Sequence, residues 1–226
     1  MADLYVVATP IGNLEDITLR ALETLRGSEL IICEDTRHTR KLLSHYDIHA
    51  QTVSFHAHSS VQSVESLLHR IEGISRVSLV TDAGTPGVSD PGAILVQACR
   101  DAGHRIVPIP GVSALTALVS VAGPVGRTVV FDGFLSPKSG KRKSRLSELV
   151  SRKETFVVYE SPHRLVKMVA DLADVSPEAD VVIGREMTKA FEEIMAGSAQ
   201  EVLEMLSSRS QIKGECAVLV RAARIH

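Results

Sequence analysis

The sequence predicts an α/β protein of two domains, the first built on a mainly parallel sheet and the second on a mixed one. Two observations carry this. Short apolar strands alternate with amphipathic helices up to about residue 112, the rhythm of a parallel sheet covered on both faces. Beyond "PGVSALTALVSVAG" (110 to 123) that rhythm breaks, and two strand candidates meet around residue 189 across a link too short for a crossover helix, so they pair antiparallel. The boundary is expected near 111 to 126, giving domains 1–112 and 113–226.

In chain order, "LYVVA" (4 to 8) and "ELIIC" (29 to 33) read as buried strands, and Ile17, Ala21, Leu22 and Leu25 recur between them at helical spacing. "RHTRKLLSHY" (37 to 46) suits a second helix and "QTVSFH" (51 to 56) a strand. Val61, Val64, Leu67, Leu68 and Ile71 mark a third helix, and "RVSLVTD" (76 to 82) a further strand. Pro91 is expected in the first turn of the next helix, with Asp90 as its cap. "RIVPIPG" (105 to 111) completes the first set. In the second half, "TVVFDGF" (128 to 134) and "TFVVYE" (155 to 160) flank a basic loop and a helix. "SPHRLVKMVADLADV" (161 to 175) opens with Ser161 as cap and Pro162 in the first turn. "DVVIGRE", "FEEIMAG" and "KGECAVLVRA" are strands, and Ser198 and Glu201 have capping-box spacing ahead of an intervening helix.

The chain has 226 residues, 44% apolar and 23% charged, which suits a globular protein with a sizeable core. No apolar run is long enough to suggest a membrane span. "MADLYVVATPIG" lacks a basic segment before its apolar run and reads as a strand, not a signal peptide. Cys33, Cys99 and Cys216 are widely spaced and odd in number, as expected of reduced thiols in the cytoplasm. Formal net charge is −2, yet "PKSGKRKSR" (137 to 145) carries Lys138, Lys141, Arg142, Lys143 and Arg145 without one acid. A patch, not an average, makes phosphate contacts. The segment is therefore a candidate contact for the backbone of a phosphate-rich partner, although a solvated turn would look the same.

Ligands of parallel sheets sit beyond the carboxyl ends of the strands. "TPIGN" (9 to 13), "EDTRHTR" (34 to 40), "DAGTPGVSDPG" (82 to 92) and "PIPGVSA" (108 to 114) should all emerge on that side. Gly84 and Gly87 allow close backbone approach, and Pro86 and Pro91 stiffen the path. Such loops offer a small ligand a rim of amides and carbonyls. Neither GxGxxG nor GxxxxGK[ST] occurs, which disfavours nicotinamide and P-loop chemistry. His56 and His58 lack a third ligand nearby, so no metal site is expected. Glu34, Asp35, Arg37, His38 and Arg40 fit a polar pocket or a solvated helix start. "YESPHR" (159 to 164) and "GREMTKAFEE" (184 to 193) fit a substrate surface or structural salt bridges.

"TPIGNLEDITLRALETL", "EDTRHTRKLL", "TDAGTPGVSDPG" and "PIPGVSA", followed by "GFLSPK", "ESPHR", "REMTK" and "KGE", resemble the family of ribosomal RNA small subunit methyltransferase I, in the tetrapyrrole-methylase-like superfamily. The resemblance runs in order from about residue 5 to 221. It implies a homodimer of two-domain subunits that binds S-adenosylmethionine in a cleft between the domains and methylates the 2′-hydroxyl of a cytidine in 16S rRNA of the small ribosomal subunit. By that pattern Pro10, Ile11, Asp82, Ala83, Gly84, Thr85, Ser113, Ala114 and Tyr159 would contact the cofactor. Glu34, Asp35, Arg37, Arg164, Arg185, Glu186 and Lys189 would serve the substrate side. Among these Glu34, Asp35 or Glu186 would accept the hydroxyl proton, and Lys189 or Arg37 would steady the developing alkoxide. The chain departs from the family in reading "HAHS" (56 to 59) where "HEHN" is common. It also stops at His226, where many members continue into a small helical region. Two rival readings remain: a superfamily methyltransferase acting on a tetrapyrrole or other small acceptor, and a non-catalytic RNA-binding protein that kept the fold.

Overall fold

The structure is a computed structural model that describes residues 2–56 and 61–222. The chain divides at Ser113–Ala114 into two compact units.

The first unit alternates β1 (Asp3–Val7), α1 (Leu19–Arg26), β2 (Leu30–Cys33), α2 (Thr36–His45), β3 (Gln51–Ser54), α3 (Val61–Ile71), β4 (Arg76–Leu79), α4 (Gly92–Asp101) and β5 (Arg105–Ile109). Its five strands lie in the order β3-β2-β4-β1-β5, and every pairing is parallel. All strand carboxyl ends therefore share one edge. Strand β2 is apolar and buried on both faces because both faces are covered there, whereas edge strand β3 is mostly polar. Leu4, Leu30, Ile32, Val77 and Leu79 pack with Leu67 and Ile71 of α3 and Leu95 and Cys99 of α4. On the opposite face Val7, Ile31 and Cys33 pack with Ala21, Leu22 and Leu25 of α1 and Leu42 and Leu43 of α2. Asp90 departs from the cap expected of it. Pro91 occupies the N-cap position of α4, while the Asp90 carboxylate accepts from Gly92 N–H at 2.7 Å and turns back to Gly87 N–H at 2.8 Å.

The second unit comprises α5 (Ala114–Val121), β6 (Val129–Phe134), α6 (Ser139–Ser151), β7 (Thr155–Glu160), α7 (Pro162–Val175), β8 (Asp180–Arg185), β9 (Glu193–Ser198), α8 (Ala199–Ser207) and β10 (Cys216–Arg221). Its sheet is mixed, in the order β6-β7-β10-β8-β9. Only β6 and β7 run parallel, and β8 and β9 form the expected antiparallel pair. Helices α6, α7 and α8 bury Leu146, Leu165, Met168, Leu172 and Val202 against one face of it. The Ser198–Glu201 capping box forms as its spacing requires. The basic stretch is a correction: α6 starts at Ser139, so most of 137–145 is helix and not loop.

All three cysteines are buried and free, and burial pushes the Cys99 and Cys216 thiols up to about 11. Among the described residues no helix is long and apolar enough to cross a membrane. His58, part of the sequence's His pair, lies outside the described residues.

Candidate functional site

At the carboxyl edge of the first sheet, main-chain bonds tie the loops together. Thr9 N–H donates to the Gly84 carbonyl at 2.9 Å, and Gly84 N–H returns to the Thr9 carbonyl at 3.0 Å. The Thr9 hydroxyl donates to the Thr81 carbonyl at 3.1 Å, and the Thr85 hydroxyl to the Val112 carbonyl at 3.0 Å. The loops after β1, β4 and β5 thus form one rim before any ligand arrives. Gly84 sits at φ +83°, where an L side chain is strained. A Cβ at Gly111 would stand 2.9 Å from Ala8 Cβ, so that close approach requires glycine. The rim gathers Pro10, Ile11, Asp82, Ala83, Gly84, Thr85 and Ser113. Pro10, Ile11, Gly84 and Ser113 are buried, Asp82 and Thr85 half-buried, and Ala83 exposed.

Glu34 and Asp35 follow β2 onto the same edge, and their environments diverge. Glu34 is half-buried and accepts from the Thr81 hydroxyl at 3.3 Å. Its burial, reinforced by the Asp82 charge, raises its carboxyl above the ordinary value. Asp35 instead caps α2, accepting from Arg37 N–H and the Arg37 guanidinium, each at 2.8 Å. Those bonds hold its carboxyl far below the usual range. The Asp35 N–H donates to Asp82 Oδ1 at 3.0 Å, which joins α2 to the rim.

In the second unit Cys216 pairs with both Glu160 and Arg185, so the ends of β7 and β8 and the start of β10 meet at one edge. There Glu186 takes φ +51°, and its Oε1 accepts from Lys189 Nζ at 2.8 Å and Glu215 N–H at 2.9 Å. Lys189 also donates to Glu215 Oε2 at 2.9 Å. The Lys189 bond keeps the Glu186 carboxyl low. Burial works to lower Lys189, but its two carboxylate partners prevail and raise it. Arg164 donates to the buried Glu160 at 2.7 Å. Arg185 donates to Glu193 at 3.0 Å and to the Lys213 and Phe191 carbonyls, both at 3.1 Å. Tyr159 accepts from Leu115 N–H at 3.0 Å, next to Ala114 at the start of α5, and its ring packs edge-on to Phe131 and Phe134.

The basic stretch changes character in three dimensions. Arg142 is buried and donates to Asp171 at 2.7 Å and to the Ser136 and Pro137 carbonyls at 3.2 and 3.3 Å. It is a structural cation and not an RNA contact. Lys143 pairs with Asp174 at 2.6 Å, and Arg145 with Asp132 at 2.5 Å and Glu148 at 2.6 Å. Only Lys138 and Lys141 of the segment are exposed without an ion-pair partner among the described residues. Among those residues no group of three metal-ligating side chains gathers.

The sequence pattern of the tetrapyrrole (corrin/porphyrin) methylases matches residues 3–203. A protein of Borrelia garinii subsp. bavariensis named ribosomal RNA small subunit methyltransferase I is 44% identical over 96% of this chain and 97% of its own length. The Vibrio cholerae protein of the same name is 42% identical over 98% of this chain and 77% of its own length. The chain belongs to the ribosomal RNA small subunit methyltransferase I family. As a member it is a methyltransferase with the tetrapyrrole-methylase fold. Two solved structures share that fold at low identity. They are the methyltransferase CobJ (TM-score 0.73, 17% identical, 100% of this chain and 98% of that one) and uroporphyrin-III C-methyl transferase of Thermus thermophilus with S-adenosylhomocysteine (TM-score 0.68, 18% identical, 96% and 97%).

Within this family member, sequence reasoning passed over Thr81, which supports Glu34. It also passed over Glu215 and Gly214, which hold the Glu186–Lys189 pair. The one available signal is "KGE" (213 to 215), which contains both. It marked a resemblance but said nothing of what its glycine and carboxylate touch.

Proposed function

We propose that this family member transfers a methyl group from S-adenosylmethionine to the 2′-hydroxyl of a cytidine in 16S rRNA, acting as a homodimer on small-subunit particles in the cytoplasm. Membership in the family supports the reaction class and the RNA substrate. The observation that carries the residue-level reading is Glu34, a carboxylate raised by burial and by the Asp82 charge, standing on the tied rim.

The rim suits the cofactor. Backbone groups at 10–11, 82–83 and 113, beside the Thr9–Gly84 ties, can meet the adenine and amino-acid edges. Asp82 uses Oδ1 for the Asp35 amide, and its Oδ2 accepts from none of the described residues, leaving it to a ligand hydroxyl or ammonium. When bound, S-adenosylmethionine supplies a sulfonium methyl to the attacking ribose oxygen. Glu34 accepts the hydroxyl proton, since of the three candidate carboxylates it alone is made more basic by its surroundings. Asp35 and Glu186 serve by position: one anchors α2 to Asp82, and the other holds Lys189 for the substrate. Ser113 belongs to the rim, and the family resemblance alone supports Ala114 and Tyr159 as cofactor contacts and Arg164 and Arg185 as RNA contacts.

The test is transfer of tritiated methyl to unmodified small subunits, followed by digestion to nucleosides. Label in 2′-O-methylcytidine supports the reading. Label in another nucleoside, or none beside intact cofactor binding, overturns it.

A further inference from the structure

With α6 neutralised, the concentration of unbalanced positive charge lies on α2. Its sequence, "TRHTRKLLSH", holds Arg37, His38, Arg40, Lys41 and His45 and no acid. Every other described helix that carries a basic residue carries an acidic one too. The positions sort cleanly around the helix. Thr39, Leu42 and Leu43 are buried, whereas Arg37, Arg40, Lys41 and Ser44, spaced i, i+3, i+4 and i+7, form one exposed face. Arg37 is paired with Asp35. Arg40 and Lys41 have no ion-pair partner among the described residues.

This arrangement is unfavourable for the helix itself. Like charges three and four residues apart repel. Cations in the first two turns also oppose the helix dipole, whose positive end lies there. A helix selected only for stability would carry acids at these positions. The face leads somewhere, too: its first turn is fixed to the rim through the Asp35–Asp82 bond. Its far end borders a groove of about 430 Å³ beside the sheet-edge strand β3, whose lining mixes polar Arg40, Ser44, Gln51 and Thr52 with apolar Leu43 and Ile48. Hydroxyl and amide groups beside Arg40, with Lys41 next to it on the exposed face and the His49 imidazole paired to Asp47, suit a sugar-phosphate chain.

We propose that the exposed face of α2 and the groove beside β3 bind the phosphate backbone of the RNA substrate, leading it to the rim. This rests on the rRNA reading above for the identity of the polymer. The backbone contact supplies position and affinity, not base specificity.

The test is the double charge reversal Arg40→Glu/Lys41→Glu, with the neutral Arg40→Gln/Lys41→Gln as a gentler companion. Three quantities are read: KM for small subunits in methyl transfer, the salt dependence of RNA binding by filter retention, and S-adenosylmethionine affinity by calorimetry. Loss of two phosphate contacts makes the slope of log K against log salt shallower by about 1.5 and raises KM on the order of tenfold or more. Cofactor affinity stays unchanged, and the neutral variant gives the same slope with a smaller rise in KM. Unchanged KM and slope in both variants overturn the proposal, as does a loss seen only for Lys138→Glu/Lys141→Glu on α6. If the wild-type protein transfers no methyl to RNA, the functional reading fails instead. The binding slope, which needs no turnover, still decides the role of α2.

Discussion

Gly214 and Glu186 compete for the same space: a Cβ on Gly214 would overlap Glu186 Cγ, Cδ and Oε1. Gly214 also lies at φ +91°, where an L side chain is strained. The missing side chain therefore lets Glu186 fold under β10 and hold Lys189. Gly214→Ala should displace the Glu186 carboxylate and cost about 2 kcal/mol of stability. Methyl transfer should fall through kcat, with cofactor affinity retained. Adding Glu186→Gly relieves the overlap but not the backbone strain, so the double variant should recover part of the melting temperature and no activity. Calorimetric melting with single-turnover kinetics reads both.

As the proposed base, Glu34 is expected to set the acid side of the pH profile. Because its folded-state carboxyl is raised, the neutral form persists to higher pH than for an ordinary glutamate, and a protonated Glu34 cannot take the ribose proton. Activity should therefore fall with acidification at a pH above the usual glutamate range. Glu34→Gln should reduce kcat by about 10²-fold or more and remove that limb. A profile of kcat/KM in both proteins checks this. An identical limb in the variant would assign it to another group.

Arg142→Ala should act on folding. The guanidinium and Asp171 are both buried, so removing Arg142 leaves that carboxylate only the Ser139 hydroxyl and Lys143 at 3.6 Å, at a cost of about 3 kcal/mol. Chemical denaturation should show the loss. RNA binding per folded molecule should match the wild-type protein, because no RNA reaches Arg142.

Glu193 ties stability to pH. Arg209 grips it at 2.6 and 2.8 Å, with Arg185 adding a third bond, and its carboxyl falls from 4.5 to about 2. A depressed carboxylate stabilises the fold fully above its unfolded value, and that contribution disappears as pH falls from 4.5 towards about 2. Arg209→Ala should lower stability at neutral pH by about 1 kcal/mol, since the pair is partly solvated. Wild type and variant should converge in melting temperature across that acid window.

The β/α rhythm, the shared loop edge and the β8–β9 pair were legible because each depends on residues close in sequence. The Ser198–Glu201 box is similar, its two partners three residues apart. What stayed hidden depends on distant partners. "PKSGKRKSR" contains no acid, but Asp171 reaches Arg142 from 29 positions downstream. Glu34 and Asp35 are neighbours of the same chemical type. Their opposite shifts follow from Thr81 and Asp82 on one side and Arg37 on the other, contacts that composition cannot reveal. The basic face of α2 was visible as a charge cluster. Its standing as the unbalanced basic face depends on Asp171, Asp174 and Asp132 pairing with the cations of α6.

The central position of β1 has a consequence in time. It is the first strand to be synthesised, yet it pairs with β4 and β5 and not with β2, and Asp3 finds its second neighbour only at Arg105. At ordinary translation speeds about 5–20 s pass between the two. Through that interval Leu4 and Val7, fully buried once folded, have no finished sheet to enter. The nascent first half therefore keeps one edge of β1 unpaired until residue 109 clears the ribosome.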